Sequence, residues 1–476
     1  MSFFHGTKVD DVAALLISIA QTNGSTIALI GTAPEGPAGM TLVSTPADAV
    51  QFGKSVFDGR TIPHALDAIM AQGSSQVIVI NCFKNSHLTV VAAEDVLVPG
   101  SFVVPLANVP VGPIVVHTAG GSPVLLVNGV DYSYNSGDKF FTILKRRTFV
   151  ATTDLNIAYS WFNSSSVVAN DIIGGIDGTT GVRTGIALLD LAFSVTGIIP
   201  KILIAPVYDE LQTVCDALLL QCPKLRARHP NCAPAATTIA GAIASRGDAG
   251  SYNNWDTSNP RLIPVYPYVY KPDPLHPTSP GQPFPYSAYF AGMWAASINS
   301  TGLQQSPSNL PLAGFKVPVN PISFGLGDPF CDASILNAAG INTIFNFRTG
   351  PRSWGNRAAS FPTASDISTF MNVLLVQDIL DESVLMASLA FQDKTLDLSL
   401  IDSIVSGVNG LINSMILSKA LLAGECYYDK NLNTPAQLAQ GQAIISYRDL
   451  PPPPAEGVKF QSYIDISLFA SVGLSA

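Results

Sequence analysis

The chain has 476 residues, which at roughly 100–200 residues per domain is length for about two to four domains with full cores. Charged residues are only 12 % of it, about half the ~25 % of an ordinary soluble domain, while hydrophobic residues stand at 47 %. That balance excludes a disordered acidic chain and a coiled coil, and a net charge of −9 excludes a protein that coats nucleic-acid phosphates.

A surface poor in charge has little like-charge repulsion to keep copies apart, which favours self-association. The most hydrophobic stretches, such as residues 102–116, are broken by Pro105, Pro110 and Pro113, so no membrane insertion is expected. The apolar run 12–20 follows Asp10 and Asp11 instead of a basic segment, so it reads as no signal peptide and the chain is expected to stay in the cytosol. The 6 cysteines include no CxxC pair, the pattern of reduced, buried thiols.

In chain order, residues 26–30 (Thr-Ile-Ala-Leu-Ile) have the pattern of a buried strand, closed by the turn-forming residues 31–37. A helix follows, with Thr61 near its N-cap, Pro63 in its first turn, Ile62, Leu66, Ile69 and Met70 on one face and Gly73 past its end. A strand at 76–81 completes a strand, helix, strand unit, the beginning of an α/β core. Near residue 86 the period becomes two. Short strands are expected around 88–91, 96–98, 114–116, 124–134, 139–144 and 154–161, where Leu155, Ile157, Tyr159 and Trp161 alternate with Asp154, Asn156, Ala158 and Ser160. This region, 88–165, reads as a small β-sandwich or barrel set into the α/β domain.

Helix and strand patterning resumes with helices over 184–196 and 209–221 around a strand at 201–205. Nine prolines between 260 and 285 then argue for a shaped loop with no regular structure beyond an edge strand near 265–270. Helices are expected at 288–298, 366–391 and 399–422, a helix and strand at 333–347, and a strand at 441–448. Behind the tetraproline 451–454 comes a last period-2 segment, with Ile464, Ile466 and Leu468 on one face and Tyr463, Asp465 and Ser467 on the other. A strand behind a stiff spacer at the end of a chain has no hairpin partner of its own, so it is expected to pair with something, and the cheapest partner is a sheet edge on another subunit.

No catalytic constellation assembles. Gly53-Lys54-Ser55 resembles the end of a phosphate-binding loop, but Asp48 stands where its first glycine is needed. The Gly-rich stretches 31–39 and 174–181 could hold an anion at a helix start, yet read more simply as tight turns. Cys222, His229 and Cys232 are ligand types for zinc at a spacing that fits no usual pair, without a fourth ligand. The histidines form no HExxH, and the neighbouring acids Asp10/Asp11, Glu94/Asp95 and Asp381/Glu382 read as solvated surface. No cofactor, no metal and no enzymatic activity is expected.

Several segments together resemble the contractile tail sheath family of bacteriophages, tailocins and related contractile injection systems. They are residues 26–37, 184–206, the turn Ser306-Pro307-Ser308-Asn309 and, most specifically, residues 336–344 (Leu-Asn-Ala-Ala-Gly-Ile-Asn-Thr-Ile) followed by Arg352-Ser353-Trp354-Gly355-Asn356-Arg357. The last piece resembles the sheaths of temperate contractile-tailed phages, with Gly340, Trp354, Gly355, Asn356 and Arg357 as its signature residues.

The fold class this implies is an α/β (α+β) multidomain core with an inserted all-β domain and extended terminal arms that donate strands to neighbouring subunits. The chain would divide into an N-terminal arm (1–20), a first part of the α/β core (21–87), the inserted domain on the outer surface (88–165), a second part of the core (166–350), a C-terminal domain facing the tube (351–454) and a C-terminal arm (455–476). Val9 and Val12 of the first arm and Tyr463, Ile464, Ile466 and Leu468 of the second would pair between subunits.

The resemblance further implies a structural polymer. Stacked, hexameric rings would wind helically around a tail tube protein, with baseplate and tail terminator proteins at the ends, assembling in the bacterial host cytoplasm and residing in the virion tail. Contraction from an extended metastable state would drive the tube through the host envelope. Acidic positions on the 366–391 helix, Asp378, Asp381 and Glu382, are the candidates to meet basic residues of the tube. Trp354 reads as a core filler, whereas Arg357 stays open between satisfying nearby carbonyls and shaping a lattice contact. Two other readings remain at this stage: a cytosolic α/β enzyme binding an anionic ligand at 31–36 or 174–181, and a non-contractile capsid or surface-layer protein.

Overall fold

The computed structural model describes residues 19, 21–54, 58–74, 76–120, 122–250, 252–272, 281–346 and 348–471. Its centre is a sheet in the order Ile202–Ile204, Ile27–Gly31, Val77–Asn81, Gly39–Val43, parallel except at the last strand. Single parallel bridges continue it, from Ile202 to Arg228 and from Val265 to Asn342. They add the parallel pair His229–Cys232 and Leu262–Val265, then the antiparallel pair Thr343–Asn346 and Pro351–Trp354.

Both faces of the central strands are covered, which explains why their sequences are continuous apolar runs. Ile27, Leu29, Val77, Val79, Ile202 and Ile204 point into one core, shared with helices Ile62–Met70, Tyr286–Thr301, Met371–Ser388 and Leu398–Leu417. Ala28, Ile30, Ile80, Leu203 and Ala205 point into the other, where helix Gln212–Leu225 packs through Val214, Leu218 and Cys222.

Residues 88–162 carry two three-stranded sheets, one of Leu88–Leu97, Asp154–Phe162 and Val115–Thr118, the other of Val103–Pro105, Phe140–Ile143 and Tyr132–Ser133. Between them lies a separate apolar cluster that includes Val104, Val116, Phe141, Leu155, Ile157 and Tyr159. The alternation of Leu155, Ile157 and Tyr159 is thus realised. It breaks at Trp161, which is half-buried, and Phe162 turns inward to meet His87 and Phe83 near the base of this region.

Several elements differ from the expectations. Pro264 lies inside the strand Leu262–Val265, in the middle of the extended sheet. It is tolerated because only its carbonyl is needed on the side of Asn342, whose N–H donates to it at 2.9 Å. The 184–196 segment is a 3-10 helix, Gly185–Leu191, running into a short α-helix, Ala192–Thr196, that ends on Gly197 in the left-handed region. The stretch 174–181 is held by a small antiparallel pair, Gly175–Ile176 with Arg183–Thr184, a tight turn.

The C-terminal third is led by helices Met371–Ser388 and Leu398–Leu417 and a two-stranded antiparallel hairpin, Ala423–Tyr427 with Ser446–Leu450, whose first strand was not expected. Helix Leu398–Leu417 is long and apolar enough by composition to cross a membrane. Here it buries Val408, Leu411, Ile412 and Met415 in the shared core and supports the hairpin.

Candidate assembly interface

The signature residues gather where the chain leaves its core. Strand Pro351–Trp354 is followed by Gly355, whose φ of +124° and distance of 2.5 Å from a would-be Cβ to Asn342 Oδ1 exclude any side chain. Gly340 is equally constrained, with φ +75° and the carbonyl oxygen of Phe361 2.4 Å from a would-be Cβ. Trp354 packs edge-on against Phe345 and Phe324 but is only half-buried and lines a groove beside the Ser306–Asn309 turn, so it is less enclosed than the core filler expected. The carbonyl of Asn356 accepts from the N–H of Met371, which ties the signature to the start of helix Met371–Ser388.

The Ser306–Asn309 turn closes on the same strand. Gly355 N–H donates to Ser308 Oγ at 3.1 Å, and Arg352 Nε donates to Asn309 Oδ1 at 2.8 Å, across separations of 47 and 43 residues. A groove of about 660 Å³ runs between turn, signature and the chain at Pro454–Glu456.

Arg357 faces that chain. Its guanidinium lies 3.5 Å from the ring centre of Phe370 and 4.9 Å from that of Phe361, and it donates to Thr369 Oγ1. Nε and Nη2 also donate to Oε1 and Oε2 of Glu456, at 3.0 and 2.6 Å. Among the described residues the Arg357 guanidinium thus meets the Glu456 carboxylate and the Thr369 hydroxyl and no carbonyl.

Beyond Glu456 the arm stands away from the core. Phe460 is 90 % and Ile464 98 % exposed, and Tyr463, Ile466 and Leu468 are exposed as well. The expected strand is not formed in the single chain. Residues Ile466–Ala470 make a 3-10 turn capped by Asp465, the local alternative open to a strand without a partner. Val9 and Val12 lie outside the described residues.

Two of the three acids proposed for the tube, Asp378 and Glu382, are turned inward, and for them that expectation is corrected. Asp378 and Glu382 are 2 % and 6 % exposed. Asp378 accepts from Arg228 Nη2 at 2.9 Å and from Arg261 Nη1 and Nη2 at 2.8 and 2.9 Å, and Arg226 lies 3.7 Å away. Asp381 accepts from Arg226 at 2.7 Å and from the Tyr447 hydroxyl of the hairpin at 2.5 Å. Glu382 is paired with the fully buried Lys201, which also donates to the Leu225 carbonyl at 2.7 Å.

Burial alone would raise the Asp378 carboxyl, but Arg228, Arg261 and Arg226 outweigh it and hold it below its ordinary value. Burial shifts Lys201 downward and Glu382 upward, each opposed by the other's charge. Asp378 and Glu382, buried and paired inside the chain, present no carboxylate to a tube, whereas the Asp381 side chain stays 22 % exposed beside Arg226.

Cys222 and His229 are also buried. His229 donates from Nδ1 to the Leu203 carbonyl, 2.8 Å away, so it is a core histidine. Among the described residues no group of His, Cys, Asp or Glu has the arrangement of a metal site.

No family model matches the chain. A tail sheath protein of Burkholderia phage BcepMu is 33 % identical to it over 468 residues, 97 % of each chain. The chain belongs to the tail sheath protein family. The tail sheath protein of Escherichia phage P2 is 27 % identical over 303 residues, 64 % of this chain and 72 % of that one. Among solved structures, the sheath complex of the PVC extracellular contractile injection system in its contracted state aligns with a TM-score of 0.60 at 13 % identity, over 98 % of this chain and 99 % of that one. The helical sheath of the anti-feeding prophage, also contracted, aligns with a TM-score of 0.56 at 15 % identity, over 98 % and 100 %. The fold is therefore that of sheath subunits, and the sheath chain is a structural protein, not an enzyme. The enzyme reading falls with that.

Proposed function

We propose that the sheath chain polymerises as stacked hexameric rings into a helix around a tail tube protein, bounded by baseplate and terminator proteins, in the tail of a virion assembled in the host cytoplasm. The subunits are held in an extended, metastable state. Contraction exchanges core-to-core contacts while the arms keep neighbours tied, a bistable interface change repeated along the polymer. The work drives the tube through the host envelope and delivers genome or effector.

The single observation that carries this reading, beyond family membership, is the arm. Among the described residues, 457–471 make no hydrogen bond or ion pair to the rest of the chain while exposing Phe460, Tyr463, Ile464, Ile466 and Leu468. Such a segment needs a partner, and the hairpin offers an edge. Asn409 closes one side by bonding the N–H and carbonyl of Cys426, both at 2.8 Å. The outer side of Ser446–Leu450 has no strand paired to it among the described residues. A neighbour's arm added there extends a two-stranded ribbon that is marginal alone. In this reading Val9 and Val12 belong to a second exchanged strand, residues 88–165 form an inserted domain on the outer surface, and 351–454 line the inside.

Electron microscopy of the purified chain tests it. Hollow striated cylinders, found in a long and a short, wide form, are expected. A chain that stays monomeric at high concentration contradicts polymerisation, and cylinders of one invariant diameter contradict contraction.

A further inference from the structure

We propose that Arg357 is the positioning residue of the C-terminal arm, fixing the point at which the arm leaves its own subunit through a paired contact with Glu456. The inference rests on the strand-donation reading above and adds to it the device that aims the donated strand.

The path of the chain shows why one contact has such leverage. After the hairpin, residues 451–454 are four prolines, a stiff extended spacer whose first ring is buried. Asn372 Nδ2 holds the Pro452 carbonyl at 3.2 Å while also donating to the Gln304 carbonyl at 3.0 Å. Glu456 then meets Arg357, and no described residue after it bonds to the core. Arg357 and Glu456 are therefore the last attachment before the free arm.

The chemistry of that attachment is directional. The guanidinium is pressed between Phe370 and Phe361 and hydrogen-bonded to Thr369, so its plane is set by the core and not by the arm. Its side chain is 13 % exposed, against 47 % for Glu456. Two parallel N–H to oxygen bonds then fix the carboxylate in both distance and orientation, which a lysine ammonium would not do.

An arm fixed at its root by a stiff spacer searches a small volume, which raises its effective concentration at one edge of one neighbour. It also sets the residue at which pairing begins. A slip of one residue would turn the face bearing Ile464, Ile466 and Leu468 the wrong way.

The test uses the full chain. Glu456→Gln is expected to leave the thermal midpoint of the subunit unchanged, because its carboxylate is half-exposed, and Arg357→Lys to lower it slightly through the lost contact with Phe370. Both should raise amide exchange at 455–457, the first residues after the prolines that carry an N–H, by about fivefold in the free subunit, the scale of one half-exposed ion pair. Both should raise the critical concentration for polymerisation by a similar factor, with irregular cylinders, and Arg357→Lys/Glu456→Gln should be no worse than either single variant. Unchanged exchange and assembly in both single variants, while deletion of 458–476 abolishes polymers, would overturn the positioning role and leave strand donation standing. Normal polymers after that deletion would overturn donation, and the positioning role with it.

Discussion

Helix Met371–Ser388 and the arm 457–471 reverse the usual distribution of residue types. The helix buries carboxylates at Asp378 and Glu382, each matched by cations that stand just before strands distant in sequence, whereas the arm exposes phenylalanine, tyrosine, isoleucine and leucine side chains. Charges inside and apolar groups outside are both costly in a lone chain. The difference teaches that the helix is finished within its own subunit, while the arm is left unpaired there, which is what the proposed donation to a neighbour would resolve.

The first way to break this comparison is Asp378→Ala. If the carboxylate is the buried counter-charge of Arg228 and Arg261, its loss strands two cations and should cost about 3–5 kcal/mol in denaturant unfolding. A solvated, tube-facing acid would cost less than about 0.5 kcal/mol.

The second concerns acid. Burial pushes His229 down to about 4 from 6.5, so the unfolded chain takes up this proton first. The contribution to stability is therefore complete above pH 6.5 and is lost as pH falls toward 4, by about 3 kcal/mol at most. Burial raises Asp209 and Glu210, and these act in the opposite sense over that window. The His229 effect is accordingly read as the difference between wild type and His229→Gln, and parallel pH profiles would contradict it.

Third, Gly340→Ala places a methyl group against the Phe361 carbonyl at positive φ, and should destabilise the subunit by roughly 2 kcal/mol. An unchanged unfolding midpoint would show that the signature loop is not held as described.

The smallest effect on stability belongs to the arm. Ile464→Asp with Ile466→Asp should leave subunit stability within about 0.5 kcal/mol and yet abolish cylinders. A large loss of stability would mean that the arm packs on its own core.

The central strands were legible because covered parallel strands are written as unbroken apolar runs, and 27–31, 77–81 and 202–204 were placed to within two residues at either end. Strand Leu262–Val265 was hidden by Pro264, whose tolerance depends on a neighbour that sequence order does not reveal. The hairpin strand Ala423–Tyr427 is short and contains Gly424 and Glu425, and so lacked a strand's pattern.

The interface was legible in part. Exposure of Ile464, Ile466 and Leu468 follows from their lack of a partner, but Phe460 was overlooked because it stands outside the period-2 segment. The inward turn of Asp378 and Glu382 could not be read, since their partners Arg261, Arg228 and Lys201 are 117, 150 and 181 positions away. Arg357 was singled out by resemblance alone. Its partner Glu456 is 99 residues on, in a segment whose local pattern says nothing about pairing.

Hydrogen exchange across 457–471, compared between the free subunit and the assembled polymer, tests strand donation most directly. The account predicts immediate exchange in the free chain and strong protection, alternating along the segment, once cylinders form. Cylinders in which this segment still exchanges at once would contradict it.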